Sequence, residues 1–307
     1  MNCSTHPLIS RLCKTVPLLL LSILSFKVRA QQEVDRDFVP HIDQPLFDPD
    51  KGPVLLIDGG HHNFHTLEDK FEPFGKIAAT YGFRVLGNSK RINSEVLNNV
   101  NILVIANALN EKNIDHWKQP VLPAFDPSEI EEIRNWVWKG GRLFLIADHM
   151  PFAGAVADLA HTMGYTFFDG FALRKPKMKF DVFSFADSTL RHNPITDLHG
   201  PLDSIVTFTG QAFKIPDNAT SIITLDSNFK ILLPETAWEF NEHMKIIPAA
   251  GLSQLAYSVY GSGKIVVSGE ALMFTAQKVK DFKIGLTAPF ARNNQQLLLN
   301  ILKWLND

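Results

Sequence analysis

The chain has 307 residues, 45% of them hydrophobic, with 30 Lys and Arg against 32 Asp and Glu. That length is ample for one large core, and a formal charge of −2 without a basic run argues against nucleic acid as a partner. Both cysteines, Cys3 and Cys13, sit at the N-terminus, so the remainder holds no disulfide, thiolate metal site or cysteine nucleophile.

Residues 1–30 read as a signal peptide. Arg11 and Lys14 precede the apolar run PLLLLSILSF, and Val28-Arg29-Ala30 offers small residues for cleavage after Ala30. The run is shorter than the ~20 residues of a comfortable membrane span, so no span is expected once the leader is cut; an uncleaved anchor is the alternative. Cys13 lies before the apolar run and close to Arg11, which argues against lipidation there. The expected location is outside the cytoplasm, periplasmic or secreted. The leader carries four Lys and Arg and no acid, so its loss takes the formal charge from −2 to −6.

Residues 31–52 carry three prolines and many acids, which predicts an extended arm. Val54 to Ile57 form a short apolar run, the mark of a buried parallel strand. It ends in Asp58, two glycines and the polar cluster His61, His62, Asn63, His65. Helical spacing follows from Leu67 to Tyr81, with Thr66 as the expected N-cap, Gly82 as the stop and Pro73 as a point that kinks or shortens it. FRVL and NILVIAN (101–107) are the next strands, with a helical turn at SEVLNN between them. After a polar linker, Asp126 or Ser128 caps a helix whose apolar face is Ile130, Ile133, Trp136 and Val137. RLFLIAD (142–148) is a fourth strand, a helix should run from Pro151 to Gly164, and YTFFDGF begins a fifth strand. Alternation of strand and helix argues for a three-layer α/β fold: a mostly parallel sheet with helices on both faces, spanning 53–307. Residues 170–235 predict a β-rich extension or an antiparallel edge of that sheet. A hairpin turning at Gly261-Ser262-Gly263 and an amphipathic terminal helix through Leu297, Leu298, Ile301, Leu302 and Leu305 complete the chain.

Ligands of open α/β sheets bind beyond the carboxyl ends of the strands. Those ends carry Asp58 with His61, His62, Asn63 and His65, then Asn107, then Asp148 and His149, then Glu270. Asp58, His61, His62, Asp148, His149 and Glu270 are the candidate acid–base residues; Asn63, His65, Asn107 and Gln211 are candidate ligand contacts. Such groups can act as an acid–base pair or hydrogen-bond a polar ligand. They can also hold a divalent metal such as zinc, with His61, His62, His65 and His149 as candidates. The spacing H-H-x-x-H matches no standard zinc signature. His116, His161, His199 and His243 read as ordinary hydrogen-bonded side chains.

The pieces DGGHHNFHT, WVWKGGRLFLIADHMPF, GSGKIVVSGEALMFTAQ and NNQQLLLNILKWL together resemble the class I glutamine-amidotransferase-like superfamily, in particular an exported bacterial branch of unknown function. HNPITDLHGPLDSIVTFTGQAF is also similar to a segment of ThuA-like (trehalose-utilisation) proteins, although Asn193 separates the histidine from the proline here. The resemblance implies a flavodoxin- or amidotransferase-like sheet and a carbohydrate-like ligand. An amidotransferase places cysteine at the turn occupied here by Ala147-Asp148-His149, so glutamine hydrolysis by that route is excluded. Two readings stand: a hydrolase or lyase acting on a sugar-like molecule, or a non-catalytic binding or assembly module.

Overall fold

A computed structural model describes residues 32–198 and 202–307. The expected leader and His199 lie outside these residues. No helix among the described residues is long and apolar enough to cross a membrane.

The centre is a nine-stranded mixed sheet. Its strands are β1 (Val54–Asp58), β2 (Arg84–Asn88), β3 (Ile102–Ala106), β4 (Arg142–Ile146), β5 (Thr166–Phe167), β6 (Phe213–Lys214), β7 (Ala219–Thr224), β8 (Ser253–Tyr260) and β9 (Gly263–Ser268). The order is β2-β1-β3-β4-β9-β8-β6-β5, with β7 also paired to β8. The five strands from β2 to β9 run parallel; β8, β7, β6 and β5 add antiparallel pairs. Every residue of β1 and β3 is buried, as their unbroken apolar runs require of strands covered on both faces.

Alternate residues of each strand point to opposite faces, and they join two separate cores. Leu55, Ile57, Ile102, Val104, Phe144 and Ile146 pack with Phe74 and Ile77 of α1 (Glu72–Thr80), and with Leu298 and Ile301 of the terminal helix (Asn294–Asn306). Leu56, Leu103, Ile105, Leu143 and Leu145 pack with Leu97 of α2 (Ser94–Leu97) and with Ile133 and Val137 of α3 (Pro127–Trp138). The hairpin of β8 and β9 turns at the expected glycines, with Gly261 at φ +61°. A side chain on Gly263 would collide with the Val137 carbonyl at the end of α3.

Several expectations need correction. The first helix starts at Glu72, not after Thr66: Pro73 occupies its first turn, where a missing N–H costs nothing. Thr66 instead accepts from the amides of Asp69 and Phe71 in a turn. The helix expected from Pro151 to Gly164 breaks at Val156 into α4 (Phe152–Ala155) and α5 (Ala157–Thr162). YTFFDGF does begin a strand of the main sheet, but it does not continue the parallel run. Its start is β5, antiparallel to β6, and its end opens the Phe171–Arg174 strand of another sheet, paired to Phe229–Leu233 and through it to Lys245–Pro248. The extension thus supplies edge strands to the main sheet and also separate antiparallel sheets. On α3, Ile130 and Trp136 are only partly buried, and Glu129 takes a buried place. Asn294 pins the terminal helix to the Ser204–Thr207 strand through both the N–H and the carbonyl of Val206.

Candidate functional site

The carboxyl ends of β1, β3, β4 and β9 lie side by side, so Asp58, Asn107, Asp148 and Glu270 share one edge of the sheet. The side chains there form two groups with different chemistry.

The first centres on His61. Its Nδ1 meets Asp58 Oδ2 at 2.8 Å and its Nε2 meets Glu129 Oε1 at 2.9 Å. The ring packs 4.1 Å from Phe125. Burial alone would lower the basicity of His61, but the hydrogen bond and charge of Asp58, followed by those of Glu129, hold it above its ordinary value. The ring therefore works as an imidazolium donating through both nitrogens. Asp58 also accepts from the Asn88 amide. Glu129 accepts from Ile92 N and from Arg91, and closes a capping box with Asp126 at the start of α3. Burial would raise Glu129, but its bonds to His61 and Arg91 outweigh burial and lower it. Arg91 also pairs with Asp126. Asn63 holds the loop by accepting from His61 N and donating to the Ala106 carbonyl. His62, at φ +47°, is exposed and lines with His61, Arg91 and Glu129 a cavity of about 420 Å³.

The second group lies over β3, β4 and β9. Asp148 Oδ1 accepts from His149 N, and Ala271 N also bonds its carboxylate. Burial nevertheless pushes its carboxyl up to about 7. Glu270 is fully buried, and its oxygens accept from Leu272 N and Met273 N. Burial and the nearby charge of Asp148 raise it well above the usual range. Two carboxyls that each resist ionisation, and that repel once ionised, form an acid pair able to keep one proton at neutral pH.

Asn107 stands at φ +48° beside this pair. Its Oδ1 accepts from Asp148 N, so its amide nitrogen faces His65 Nδ1 at 2.9 Å. His65 therefore carries its proton on Nε2, and that atom is buried without a partner. Burial, then the charge of Lys70 and of His149, lowers its pKa to about 3. Gln211 is fully buried; its Nε2 donates to the Ala147 carbonyl and its Oε1 has no partner. His149 donates from Nδ1 to the Met150 carbonyl, and burial holds it neutral, with a pKa of about 4.

The structure thus separates the candidates. Asp58, His61 and Asn63 fall in one network; His65, Asn107, Asp148, His149, Gln211 and Glu270 fall in the other; His62 joins neither by a hydrogen bond. Both His61 nitrogens are committed to carboxylates, which removes His61 as a metal ligand; His149 Nδ1 bonds the Met150 carbonyl and His65 Nδ1 faces Asn107, which leaves one ring nitrogen on each. Among the described residues no group of three or more His, Cys, Asp or Glu is arranged to hold a metal. Sequence reasoning missed Glu129 and Arg91, because an acid in a helix first turn looks like ordinary capping. It also missed the rings around His149: Phe171 stacked at 4.4 Å, Trp238 at 4.6 Å, Phe152 at 5.9 Å and Trp117 at 6.2 Å.

No sequence-family model matches the chain, and no curated protein sequence matches it. Among solved structures it is similar to the mmIFT52 N-terminal domain, with TM-score 0.57 and 14% identity over 82% of this chain and 96% of that one. At that identity the likeness concerns the fold. A ThuA-like protein from Bacteroides uniformis also resembles it, with TM-score 0.47 and 10% identity over 87% of this chain and 94% of that one. A β-galactosidase from Rahnella sp. R3 has TM-score 0.44 and 12% identity, over 83% of this chain and 32% of that one.

Proposed function

We propose that this is an exported protein with a three-layer, amidotransferase-like α/β fold that binds a carbohydrate-like small molecule beyond the ends of β3, β4 and β9. There it acts as a hydrolase or lyase. The reading is carried by one observation: Asp148 and Glu270 are buried carboxyls at neighbouring strand ends, both raised, one to about 7. Enzymes tune carboxyls this way when they need an acid near neutral pH. The protonated member gives its proton to the leaving oxygen as the bond to carbon breaks. The ionised member takes a proton, from an attacking water in hydrolysis or from the adjacent carbon in elimination, so the pair's proton count is restored. His65 Nε2–H and Gln211 Oε1 offer one donor and one acceptor to ligand hydroxyls. In this reading Asp58, His61 and Glu129 position the loop 59–66 and take no part in proton transfer.

A second reading, a binding module without chemistry, is favoured by the full commitment of both His61 nitrogens and of both Glu270 oxygens. Thermal unfolding in the presence of a panel of methyl glycosides and disaccharides, with chromatography of the mixtures, tests both. A ligand held at about 100 times its Kd should add about 2.7 kcal/mol of stability. Product release that disappears in Asp148→Asn while binding persists supports the enzyme; binding with no product from the unaltered protein supports the module. Absence of stabilisation by every sugar overturns the proposal.

A further inference from the structure

The rings around His149 come from four separate stretches of chain. Trp117 lies in the linker before α3, Phe152 opens α4, Phe171 starts a strand and Trp238 lies in the loop after Phe229–Leu233. The two tryptophan segments are tied together: Gln119 N donates to the Glu235 carbonyl and Ala237 N to the Trp117 carbonyl, both at 2.8 Å. Trp238 is held at φ +71°, a region that bulky side chains rarely adopt. The outer rings remain open to solvent, with Trp238 38%, Phe240 37% and Phe64 38% exposed. Strain of this kind, on an aromatic residue against a candidate catalytic histidine, points to a ligand contact.

The polar content of this surround is small. His149 gives its Nδ1 proton to the Met150 carbonyl, so Nε2 presents a lone pair, and no described residue donates to it. A group docking here meets ring faces, the His149 acceptor and the indole N–H of Trp238, while Trp117 gives its own N–H to the Ile114 carbonyl. A sugar ring would leave several hydroxyls unpaired, each at a cost in desolvation. A flat apolar group with a single O–H or N–H would leave none.

We infer that Trp117 and Trp238 form, with Phe171 and His149 Nε2, a subsite for an aromatic group bearing one hydrogen-bond donor, the non-sugar end of the ligand. This rests on the strand-edge ligand site proposed above and names the class: a conjugate of a sugar-like part with an aromatic part. Trp238 sets the preference by stacking, and His149 by accepting the donor.

The test uses phenol, which has the ring and the donor, and anisole, which has the ring alone, followed by ligand-observed NMR on the full chain. Phenol should bind about tenfold tighter than anisole, the value of one net hydrogen bond. Trp238→Ala should weaken both by about tenfold, and His149→Phe should bring phenol down to anisole. Equal binding of the two probes overturns the inference, as does undetectable phenol binding or indifference to Trp238→Ala. The comparison on the unaltered protein and the exposed Trp238 stand even where His149→Phe fails to fold. Methyl β-D-glucopyranoside serves as the second arm. If it binds while phenol fails, this subsite falls and the proposed function stands; if phenol behaves as expected and no sugar binds, the reverse holds.

Discussion

Replacing His61 with Leu is expected to lower the unfolding free energy by about 3–5 kcal/mol, the usual cost of removing one partner of a buried ion pair. The side chains of Asp58, His61 and Glu129 are 0%, 4% and 5% exposed, so solvent cannot replace the lost imidazolium. Asp58 would keep only the Asn88 amide and a long contact to Gly60 N. Glu129 would still have Arg91 and Ile92 N, so the larger part of the loss falls on Asp58. Urea denaturation measures it. The pH dependence carries a second signature. His61 is raised in the folded state, so its contribution is complete below about 6.5 and is lost as pH rises through the raised value. Glu129 is lowered, so its contribution is present above 4.5 and is lost as pH falls through the lowered value. Unaltered protein should therefore lose stability on the alkaline side, and His61→Leu should show a shallower slope there, keeping the part that Asp148 and Glu270 contribute. A variant within 1 kcal/mol of the unaltered protein would mean that the network is not charged.

The second large effect runs in the opposite direction. Asp148→Asn should make the protein more stable above pH 7, by about 2–4 kcal/mol, while at pH 4 the two should be nearly equal. The folded state holds the Asp148 proton up to about 7, against 3.8 ordinarily. It therefore binds more protons than the unfolded chain between those values, and stability falls as pH rises across them, by up to about 4 kcal/mol in all. Asparagine stays neutral and removes that penalty. The gain is trimmed because its NH₂ must face one of the two amides, of His149 or Ala271, that the carboxylate accepts. The same substitution removes half of the acid pair, so turnover should fall by about 10²–10⁴. Gain of stability with loss of chemistry is the pattern of a residue kept for function at a cost to the fold. A variant that loses stability at pH 8 would contradict this.

The sequence makes the parallel half of the sheet legible because β1, β3 and β4 are unbroken apolar runs, each ending in a polar residue. It also reveals which residues share an edge: Asp58, Asn107 and Asp148 each follow the last apolar residue of such a run, and Glu270 comes two residues after the end of β9. What it hides depends on contacts distant in the chain. Glu129 reads as a capping acid until α3 is placed over the end of β1, where the same carboxylate also meets His61, 68 residues away. Trp238 sits in a loop without periodicity, and nothing local ties it to His149; only the pairing of its loop with the Trp117 segment does. The short strands after residue 165 were ambiguous because two to four residues cannot show a period. Their sheet is decided by which partner edge is free. The break at Val156 follows the short apolar segments AGAV and ADLA, which satisfy helical spacing whether joined or split.

The acid pair is the centre of the account, and carboxyl carbons can be watched directly. In ¹³C NMR of protein labelled at Asp and Glu side chains, titrated from pH 3 to pH 9, one Asp resonance should shift with an apparent midpoint near 7, accompanied by a Glu resonance that moves well above the usual range. Both anomalous titrations should vanish or change in Asp148→Asn. If every Asp and Glu carboxyl in the folded protein instead titrates below pH 5, no proton is held at the strand ends, and the acid–base reading of this site is wrong.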